Sequence, residues 1–511
     1  MTFHSILFEK IGVGVEETSQ APLFFKDLNL DQVVEGITAD WKEYKVEPFY
    51  YTPLTDLDAI EYRQQVVVDL QNKTIMDAVR SFSASMRVMR ERVAQAKSLE
   101  HYQYSSARCF LGAISIYCKA IQQLSQVLDT STLSSRGFQN LREFLTDYVA
   151  SAFFRNLASE ATKLETEMSA IRYNLFLREA SVTVREYEGE DNYSTTIERA
   201  LEKFRRDPSK DYWVELRRPS GMNHIEAQVL ERVAALHPKV FQALDSFCTA
   251  NPSYLDETIA RFDREVQFYV AYLTHVEKLK RAGLDFCLPQ LSRSSKAEVV
   301  RDTFDLALAD KLLTQKGSVV LNDYYLRDSQ RIFVVSGPNH GGKTTFARMF
   351  GQLHYLANLG YPVPGREARL FVCDRLFTHF ERAENMASLR GKLQDDLVRI
   401  HEILQDATPN SVLIMNEVFS STTVQDALSL SKKVMARLSE LDALAVWVTF
   451  LDELAAFDDK TVSVVAGVDT ENPTIRTFKL ERRAADGLAY AITVAEKHRV
   501  TYERLMERIK A

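Results

Sequence analysis

A glycine-rich segment in the last third of the chain has residue types and spacing that bind a triphosphate. Residues 337–345, GPNHGGKTT, fit the pattern GxxxxGK followed by serine or threonine. The apolar run IFVVS precedes the segment and a helix-forming stretch follows it, so backbone N–H groups and a helix N-terminus converge on one anion. In that arrangement Lys343 lies at the β and γ phosphates and the Thr344 hydroxyl is a ligand of Mg²⁺. The predicted ATP- and Mg²⁺-binding residues of this loop are Gly337, Pro338, Asn339, His340, Gly341, Gly342, Lys343, Thr344 and Thr345.

A second apolar run, SVLIM at 411–415, ends in Asn416 and Glu417. Hydrolysis needs an acidic group beyond the loop to hold the metal and activate water. ABC-like ATPases place an aspartate and then a glutamate at this point. Glu417 is therefore the predicted catalytic base, acting with Lys343, whereas Asn416 stands on the metal side as an uncharged amide. The sequence predicts an ATP hydrolase with weak Mg²⁺ affinity or slow turnover.

The strands that would position these groups are apolar runs alternating with helical stretches after Pro289. They lie at 332–335, 411–415, 444–449 and 461–466. Continuous apolar runs of this length are typical of parallel strands buried on both faces, with crossover helices between them. The C-terminal part of the chain is therefore predicted to be an α/β domain.

The front half is dense in helix formers from about Asp56 to Leu128. One apolar stripe at helical spacing consists of Phe110, Ile114, Tyr117, Ile121, Leu124 and Leu128. A second consists of Ile259, Phe262, Val266, Tyr269, Leu273 and Val276. An ordinary bundle helix is favoured over a coiled coil because each stripe covers fewer than three or four heptads. Two such helices far apart in sequence predict a bundle or arm that returns after an insertion.

The insertion is expected between about Arg178 and Gly221, where short alternation and turn residues predict a small strand-containing tip. Its basic residues supply phosphate contacts or form a solvated charged face; the spacing alone does not decide between the two. The candidate DNA-binding residues are Arg185, Lys203, Arg205, Arg206, Lys210, Arg217 and Arg218.

Composition narrows the class of protein. Of the 511 residues, 46 % are hydrophobic and 26 % charged, which is typical of a soluble, multidomain globular protein. The net charge of −7 restricts nucleic-acid binding to local basic patches. Five scattered cysteines without CxxC spacing indicate neither a disulfide framework nor a zinc site. The N-terminus resembles neither a signal peptide nor a membrane anchor, so a cytoplasmic protein that binds no membrane is expected.

Three blocks in order resemble the ATPase domain of the MutS family of DNA mismatch-repair clamps. They are GPNHGGKTT, GYPVPGREARLFVCDRLFTHFERAENMASLRGKLQDDL and SVLIMNEVFSSTTVQDALSL. Pro338 and Asn339 inside the loop, with DRLFT and ENMASLR, are more specific than the phosphate-loop pattern alone. The similarity covers about 292–509, and YTPLTDLDAIEYRQQVVVDLQ is similar to the start of the family's helical core.

The resemblance implies further roles. Asn322 matches a position beside the nucleotide base, and Ser388 and Arg390 match a segment that reaches the γ phosphate bound by the partner of a dimer. Composite sites of this kind imply a homodimer. Gly391 and Lys392 stand where the family has serine and threonine, and Phe450 replaces its switch histidine, so hydrolysis is expected to be slow or differently gated.

The residue patterns and the family resemblance both predict a multidomain α + α/β fold class. A helical lever or core domain with a small inserted clamp tip precedes an ABC-like phosphate-loop ATPase domain. The expected segments are 1–50, an N-terminal segment; 51–177, the first part of the core; 178–222, the tip; 223–291, the return part; and 292–511, the ATPase and dimerisation domain. The 50 or so residues before Tyr51 are too few for the family's mismatch-reading domain.

The predicted function is an ATP-dependent homodimeric clamp of DNA repair or recombination. Without a mismatch-reading domain it is expected to read DNA structure, such as branches or junctions, more than mispairs. Two alternatives stay open, an ATP-gated clamp on RNA or ribosomes and a nucleotide-binding scaffold with little hydrolysis.

Overall fold

The computed structural model describes residues 3–10, 18–178, 181–189, 197, 223–327, 329–381, 391–469, 472, 475–485, 501–502 and 505–506. The chain divides into two compact units. The first is formed by 72–133 and 140–263, and the second by 3–71, 134–139 and 264–511. Among the described residues, no helix has the length and apolar character needed to cross a membrane. The five predicted segments, with their borders, remain a prediction.

The helices and strands follow in chain order. The α-helices are α1 Phe24–Asp27, α2 Leu30–Thr38, α3 Glu47–Tyr51, α4 Leu57–Leu70, α5 Lys73–Ser98, α6 Gln103–Thr130, α7 Arg136–Ala150, α8 Ala152–Ala170, α9 His224–Leu236, α10 Pro238–Ala250, α11 Glu257–Arg281, α12 Leu306–Thr314, α13 Lys343–Asn358, α14 Lys392–Asp406 and α15 Val424–Leu441. Short 3-10 helices span Ala39–Tyr44 and Asp452–Ala456. The strands are β1 Tyr173–Arg178, β2 Ser181–Glu186, β3 Phe286–Cys287, β4 Gln290–Ser292, β5 Glu298–Thr303, β6 Asn322–Leu326, β7 Ile332–Ser336, β8 Val363–Pro364, β9 Glu367–Phe371, β10 Leu376–His379, β11 Val412–Asn416, β12 Leu444–Val448, β13 Thr461–Val468 and β14 Arg476–Glu481.

The first unit is mainly helical, and its longest helices are α5 and α6. The apolar stripe predicted on α6 is confirmed, because Ile114, Ile121 and Leu128 are fully buried, whereas Phe110 at its start is only partly covered. Helix α11 has only residues 257–263 in the first unit and the rest in the second, and its six stripe residues are all buried as well. Long helices with one apolar stripe are stabilised mainly by packing of that stripe.

An antiparallel hairpin of β1 and β2 belongs to the same unit, with Arg178 paired to Ser181. It begins five residues ahead of the predicted insertion. Val184 packs against a cluster that contains Val233 and Ala234 of α9, while Leu177 at the far end is exposed. One apolar end of the hairpin therefore rests on a helix and the other faces solvent.

A six-stranded sheet forms the centre of the second unit, in the order β10, β11, β12, β7, β13, β14. The four strands predicted from apolar runs are confirmed as β7, β11, β12 and β13, and they are mutually parallel. No apolar run predicts the two outer strands, parallel β10 and antiparallel β14.

Alternate side chains of β7 face opposite layers of helices, as the two-residue period of a strand requires. Phe333 meets the rings of Phe346 and Phe350 on α13. Val334 instead joins a cluster that contains Trp447. Helices cover both faces of the sheet, which explains why its central strands are apolar throughout.

The N-terminal residues of the second unit hold the phosphate-loop helix. The carbonyl of Asp27 accepts a hydrogen bond from Arg348 Nε at 3.0 Å, and its carboxylate accepts one from the Thr378 hydroxyl at 2.7 Å. Gln352 Nε2 donates to the carbonyl of Leu28 at 2.9 Å. Residues 24–28 thus connect α13 with the edge strand β10.

Asp442 lies where α15 ends, on the side of the sheet opposite the phosphate loop, and binds three cations. Its carboxylate is 2.9 Å from Lys460 Nζ, 3.1 Å from Arg331 Nε and 3.2 Å from Lys296 Nζ. Burial opposes ionisation, but the hydrogen bonds from these cations outweigh it and lower the pKa of Asp442 to about 2. The carboxylate thereby fixes the starts of β7, β12 and β13 relative to one another.

Replacing Asp442 by asparagine is expected to lower the free energy of unfolding by about 1 kcal/mol at pH 7. The full pKa shift would correspond to roughly 2 kcal/mol, but the side chain is 36 % exposed and solvent screens it. Because the folded pKa is the lower one, the stabilisation is present above about pH 4 and is lost as the pH falls toward 2. Urea unfolding of the native chain and of Asp442→Asn at several pH values measures the difference.

The control for this experiment is Asp459→Asn, which removes the same charge from an exposed neighbouring residue. It should change the stability by less than about 0.5 kcal/mol. Equal effects of the two substitutions would contradict a specific role of Asp442.

Candidate functional site

The phosphate loop connects β7 to α13, the order of elements predicted from the sequence. Gly337 and Gly342 have φ of 108° and 96°, which L side chains rarely adopt. A Cβ on Gly341 would come within 2.8 Å of Ala466 Cβ and 2.9 Å of the Pro338 carbonyl. The backbone therefore forms an open cradle that only glycine allows at these positions.

Lys343 is the first residue of α13 and is 5 % exposed. Its ammonium group donates to the carbonyls of Gly337 at 2.8 Å and Pro338 at 3.2 Å. Burial lowers the pKa of Lys343, and Arg476 lowers it further, whereas Glu417 and Asp452 act in the opposite direction. A desolvated cation thus lies across the mouth of the loop with two carboxylates nearby.

Thr344 and Asn416 meet although 72 residues separate them in sequence. The threonine hydroxyl donates to Asn416 Oδ1 at 3.0 Å. Asn416 ends β11, which is separated from β7 by β12, and only 7 % of it is exposed. The structure therefore brings together the two side chains that the sequence assigns to the metal.

Replacing Asn416 by aspartate is expected to lower the Mg²⁺ concentration for half-maximal ATPase activity about threefold to tenfold. The reason is that a carboxylate beside the Thr344 hydroxyl adds the negative charge that hard cations prefer. Titrations of Mg²⁺ at fixed ATP measure the change. The exposed variant Asn410→Asp adds the same charge elsewhere and should leave the titration unchanged. An unaltered Mg²⁺ dependence in Asn416→Asp would contradict a metal-side role.

Glu417 follows directly, with φ of 52° and its N–H donating to the Val448 carbonyl of β12 at 3.0 Å. The left-handed backbone turns its side chain out of the strand, and its charge acts on Lys343. Phe450 lies two residues after the end of β12, and 55 % of it is exposed. The charge of Asp452, two residues later, also raises the pKa of Lys343. This residue is not predicted from the sequence.

Strand β14 brings further residues to the loop. Asn322 binds the backbone of this strand, donating to the Phe478 carbonyl at 3.1 Å and accepting from the Leu480 N–H at 2.8 Å. Arg476 Nε donates to the Asn339 carbonyl inside the loop at 3.2 Å. Phe478 has φ of 57°, is 48 % exposed and lies beside Gly342. Arg476 and Phe478 are not predicted from the sequence, because β14 carries no apolar run that would indicate a strand.

The remaining predicted residues divide into two groups. Arg185 is described: it is exposed on β2, with its guanidinium 5.3 Å from the ring centre of Phe176. Lys392, at the start of α14, forms an ion pair with Glu381. The predicted residues that lie outside the described part of the chain are Ser388, Arg390, Lys203, Arg205, Arg206, Lys210, Arg217 and Arg218.

Two family models match the chain. MutS domain V matches residues 333–507, which include the phosphate loop, Asn416, Glu417 and β14. The MutS2 N-terminal domain matches residues 55–282, which include the helical unit. Together the two matches include residues of both compact units.

Curated relatives named DNA mismatch repair protein MutS are also similar to this chain. The protein of Halalkalibacterium halodurans is 29 % identical over 185 residues, 35 % of this chain and 21 % of the relative. The protein of Chlorobium phaeobacteroides is 24 % identical over 283 residues, which are 54 % of this chain and 31 % of the relative. The protein of Orientia tsutsugamushi is 28 % identical over 232 residues, which are 44 % of this chain and 25 % of the relative. The matches thus span between about a fifth and a third of the length of these relatives.

Proposed function

This chain belongs to the MutS family, and we propose on that premise that it is an ATP-hydrolysing homodimeric clamp that binds DNA. The observation that carries the proposal is the 3.0 Å hydrogen bond from Thr344 to Asn416. It joins the phosphate loop to the strand end that bears Glu417, as hydrolysis of a bound triphosphate requires. The relatives named for DNA mismatch repair support DNA as the partner.

The loop fits a magnesium-bound triphosphate. Its glycines leave backbone N–H groups unshielded, and Lys343 is already desolvated, so its charge would act strongly on an anion. Thr344 and Asn416 would hold Mg²⁺, which when bound neutralises charge on the phosphate oxygens. Asn416 contributes no charge, which supports weak metal affinity and slow turnover.

Glu417 would orient and deprotonate the attacking water, because its carboxylate follows the metal-side residue and its charge acts on Lys343. Lys343 would stabilise charge that develops on the phosphate. Phe478, an exposed ring beside Gly342, offers a face on which a nucleotide base could stack, and Asn322 would fix that ring by holding the backbone of β14.

We further propose that Ser388 and Arg390 complete the site of a partner copy, which makes ATP binding and dimerisation interdependent. The helical unit, with the tip that contains Arg185 and the six basic residues between 203 and 218, would supply phosphate contacts to DNA. Shape-dependent binding of branched or junction DNA is expected to exceed binding of mispaired duplex. A cytoplasmic location fits this function.

Binding of labelled DNA by the purified full chain tests the proposal. Fluorescence anisotropy would compare a perfect duplex, a mispaired duplex, a four-way junction and an RNA hairpin, each with ATP, with ADP and without nucleotide. We expect ATP-dependent binding that is tightest for the junction and weakens steeply with salt. Light scattering should show a dimer in the presence of a non-hydrolysable ATP analogue.

Two other outcomes would overturn the DNA proposal. Preference for the RNA hairpin over every DNA ligand would favour a clamp on RNA or ribosomes. Dimerisation with ATP but no binding of any nucleic acid would favour a nucleotide-dependent scaffold.

A further inference from the structure

One face of the β1–β2 hairpin carries arginines interleaved with aromatic rings. In an antiparallel pair, residues directly opposite each other share a face, and side chains alternate between the two faces along each strand. The opposite pairs on one face are Asn174 with Arg185, Phe176 with Thr183, and Arg178 with Ser181. Arg172 and Tyr187 extend this set, because each lies two residues beyond it along the chain. This side of the hairpin is called the arginine face, and its charged and aromatic residues are Arg172, Arg178, Arg185, Phe176 and Tyr187.

The side chains of the arginine face are open to solvent. All five are exposed, including 39 % of Phe176 and 41 % of Tyr187. The guanidinium of Arg185 lies 5.3 Å from the ring centre of Phe176, and that of Arg172 lies 5.9 Å from the ring centre of Tyr187. An aromatic ring orients a cation without neutralising it, as a carboxylate would. Among the described residues of the two strands, no acid lies on this face, so it keeps the charge of its three arginines.

The opposite face of the hairpin rests on the helical unit. Val184 points to that side and packs against a cluster that contains Val233 and Ala234 of α9. Tyr173 and Glu186 are paired on the same side. Because the hairpin is anchored through this face, the arginine face points away from α9 and is the side that an outside partner can reach.

We propose that the arginine face binds single-stranded DNA, with bases stacked on Phe176 and Tyr187 and phosphates bound by the arginines. The inference rests on the proposed function, since it specifies which form of DNA the clamp binds. Aromatic side chains on which bases stack, together with a positive track for the backbone, are what proteins use to bind single strands. Arginine binds phosphate oxygens through paired N–H donors.

Base stacking decides between single-stranded and duplex DNA. Inside a duplex, each base is covered on both sides by its neighbours, and exposing it to a protein costs free energy. Unpaired bases, such as those at a gap or a branch, are open to a side chain. A duplex would contact the arginines but would leave the rings of Phe176 and Tyr187 in water. Unpaired bases therefore account for both kinds of residue on this face.

A lipid surface fits the arginine face less well. Membrane-binding surfaces insert aliphatic and aromatic side chains on one side of an element. The exposed aliphatic residues Leu177 and Val182 are paired with each other on the opposite face of the hairpin. The arginine face itself offers rings and polar groups, which favours nucleic acid.

Fluorescence anisotropy of the full chain tests the proposal. The probes are a labelled oligothymidine of about 20 nucleotides, which exceeds typical single-strand site sizes, an oligomer with the same sugar-phosphate backbone but no bases, and an oligouridine. No nucleotide is added, because the hairpin contains no residue of the phosphate loop. We expect oligothymidine to bind about tenfold more tightly than the abasic oligomer, since only the former has bases that stack.

Substitutions of the rings separate stacking from charge. Phe176→Leu should weaken oligothymidine binding about tenfold and leave binding of the abasic oligomer unchanged, because leucine keeps the apolar bulk and removes the aromatic face. Phe176→Tyr should restore the affinity. The matched control is Tyr173→Leu, which removes a ring of 41 % exposure from the opposite face and should bind as the native chain does.

Substitution of an arginine should have the complementary effect. Arg185→Gln should weaken oligothymidine and the abasic oligomer alike, about threefold to tenfold, and should make the dependence of log affinity on log salt about 0.7 less steep. Arg108→Gln, which removes an exposed arginine of α6, should change neither quantity.

Four results would overturn the inference. The native chain could bind oligothymidine no more tightly than the abasic oligomer, or Tyr173→Leu could lose as much affinity as Phe176→Leu. Tighter binding of oligouridine would assign the face to RNA. Retention on phosphatidylglycerol vesicles, with no binding of oligothymidine, would assign it to a lipid surface.

A four-way junction with ATP, measured in parallel, distinguishes this inference from the proposed function. Junction binding without a preference for oligothymidine over the abasic oligomer refutes the stacking face and leaves the DNA clamp intact. Failure to bind the junction and both oligomers refutes the two proposals together.

Discussion

Replacing Glu417 by glutamine is expected to lower the ATPase rate about 100-fold or more while the chain still binds ATP. Glutamine keeps the shape of the side chain and loses only the basic oxygen that would accept a proton from water. The backbone should keep its place, since the residue 417 N–H donates to the Val448 carbonyl in either variant. Single-turnover hydrolysis of labelled ATP, with binding of a fluorescent ATP analogue measured in parallel, separates the chemical step from affinity.

Asp452 provides the most informative comparison, because its carboxylate also acts on Lys343, though less strongly than that of Glu417. Asp452→Asn should lower the rate by less than Glu417→Gln does. Glu453→Gln, which changes an exposed neighbour, should leave the rate unchanged. A larger loss in Asp452→Asn than in Glu417→Gln would transfer the role of base to Asp452, and equal rates for native chain and Glu417→Gln would remove the enzymatic interpretation.

The centre of the ATPase fold follows from the sequence because its strands are buried on both faces. A strand such as β12, whose five residues are all buried, must be apolar throughout and is therefore visible as an apolar run. The outer strands β10 and β14 have partly exposed residues and mixed polarity, so their sequences resemble loops. Their place in the sheet depends on pairing with β11 and β13, which no local pattern encodes.

The same distinction applies to the candidate site. Asn416 ends one parallel strand and Thr344 follows another through the phosphate loop. Because the carboxyl ends of parallel strands meet at one edge of a sheet, their proximity could be anticipated. Arg476 and Phe478 reach the loop from an antiparallel edge strand, and Asp452 reaches it from a 3-10 helix. Their position depends on tertiary packing after β12 and β13. The three ion pairs of Asp442 are also not predicted from the sequence, because their cations come from three separate connections between secondary-structure elements.

Replacing Lys343 by methionine is expected to weaken ATP binding about 100-fold, since hydrogen bonds from a charged donor to an anion are among the strongest in proteins. Methionine fills the space of the aliphatic stem and removes only the ammonium group. The stability without ATP should change little, because loss of a desolvated charge offsets the loss of its bonds to the Gly337 and Pro338 carbonyls.

Thermal unfolding with and without ATP measures both effects at once. When the ATP concentration is about 100 times the dissociation constant of the native chain, the ligand raises the free energy of unfolding by about 2.7 kcal/mol. At the same ATP concentration, Lys343→Met should gain only about 0.4 kcal/mol. Lys433→Met, which removes an exposed lysine from α15, should keep the full gain. An ATP-induced stabilisation that survives in Lys343→Met would mean that nucleotide binds away from the phosphate loop, since no other residue in the loop carries a full positive charge to replace this one.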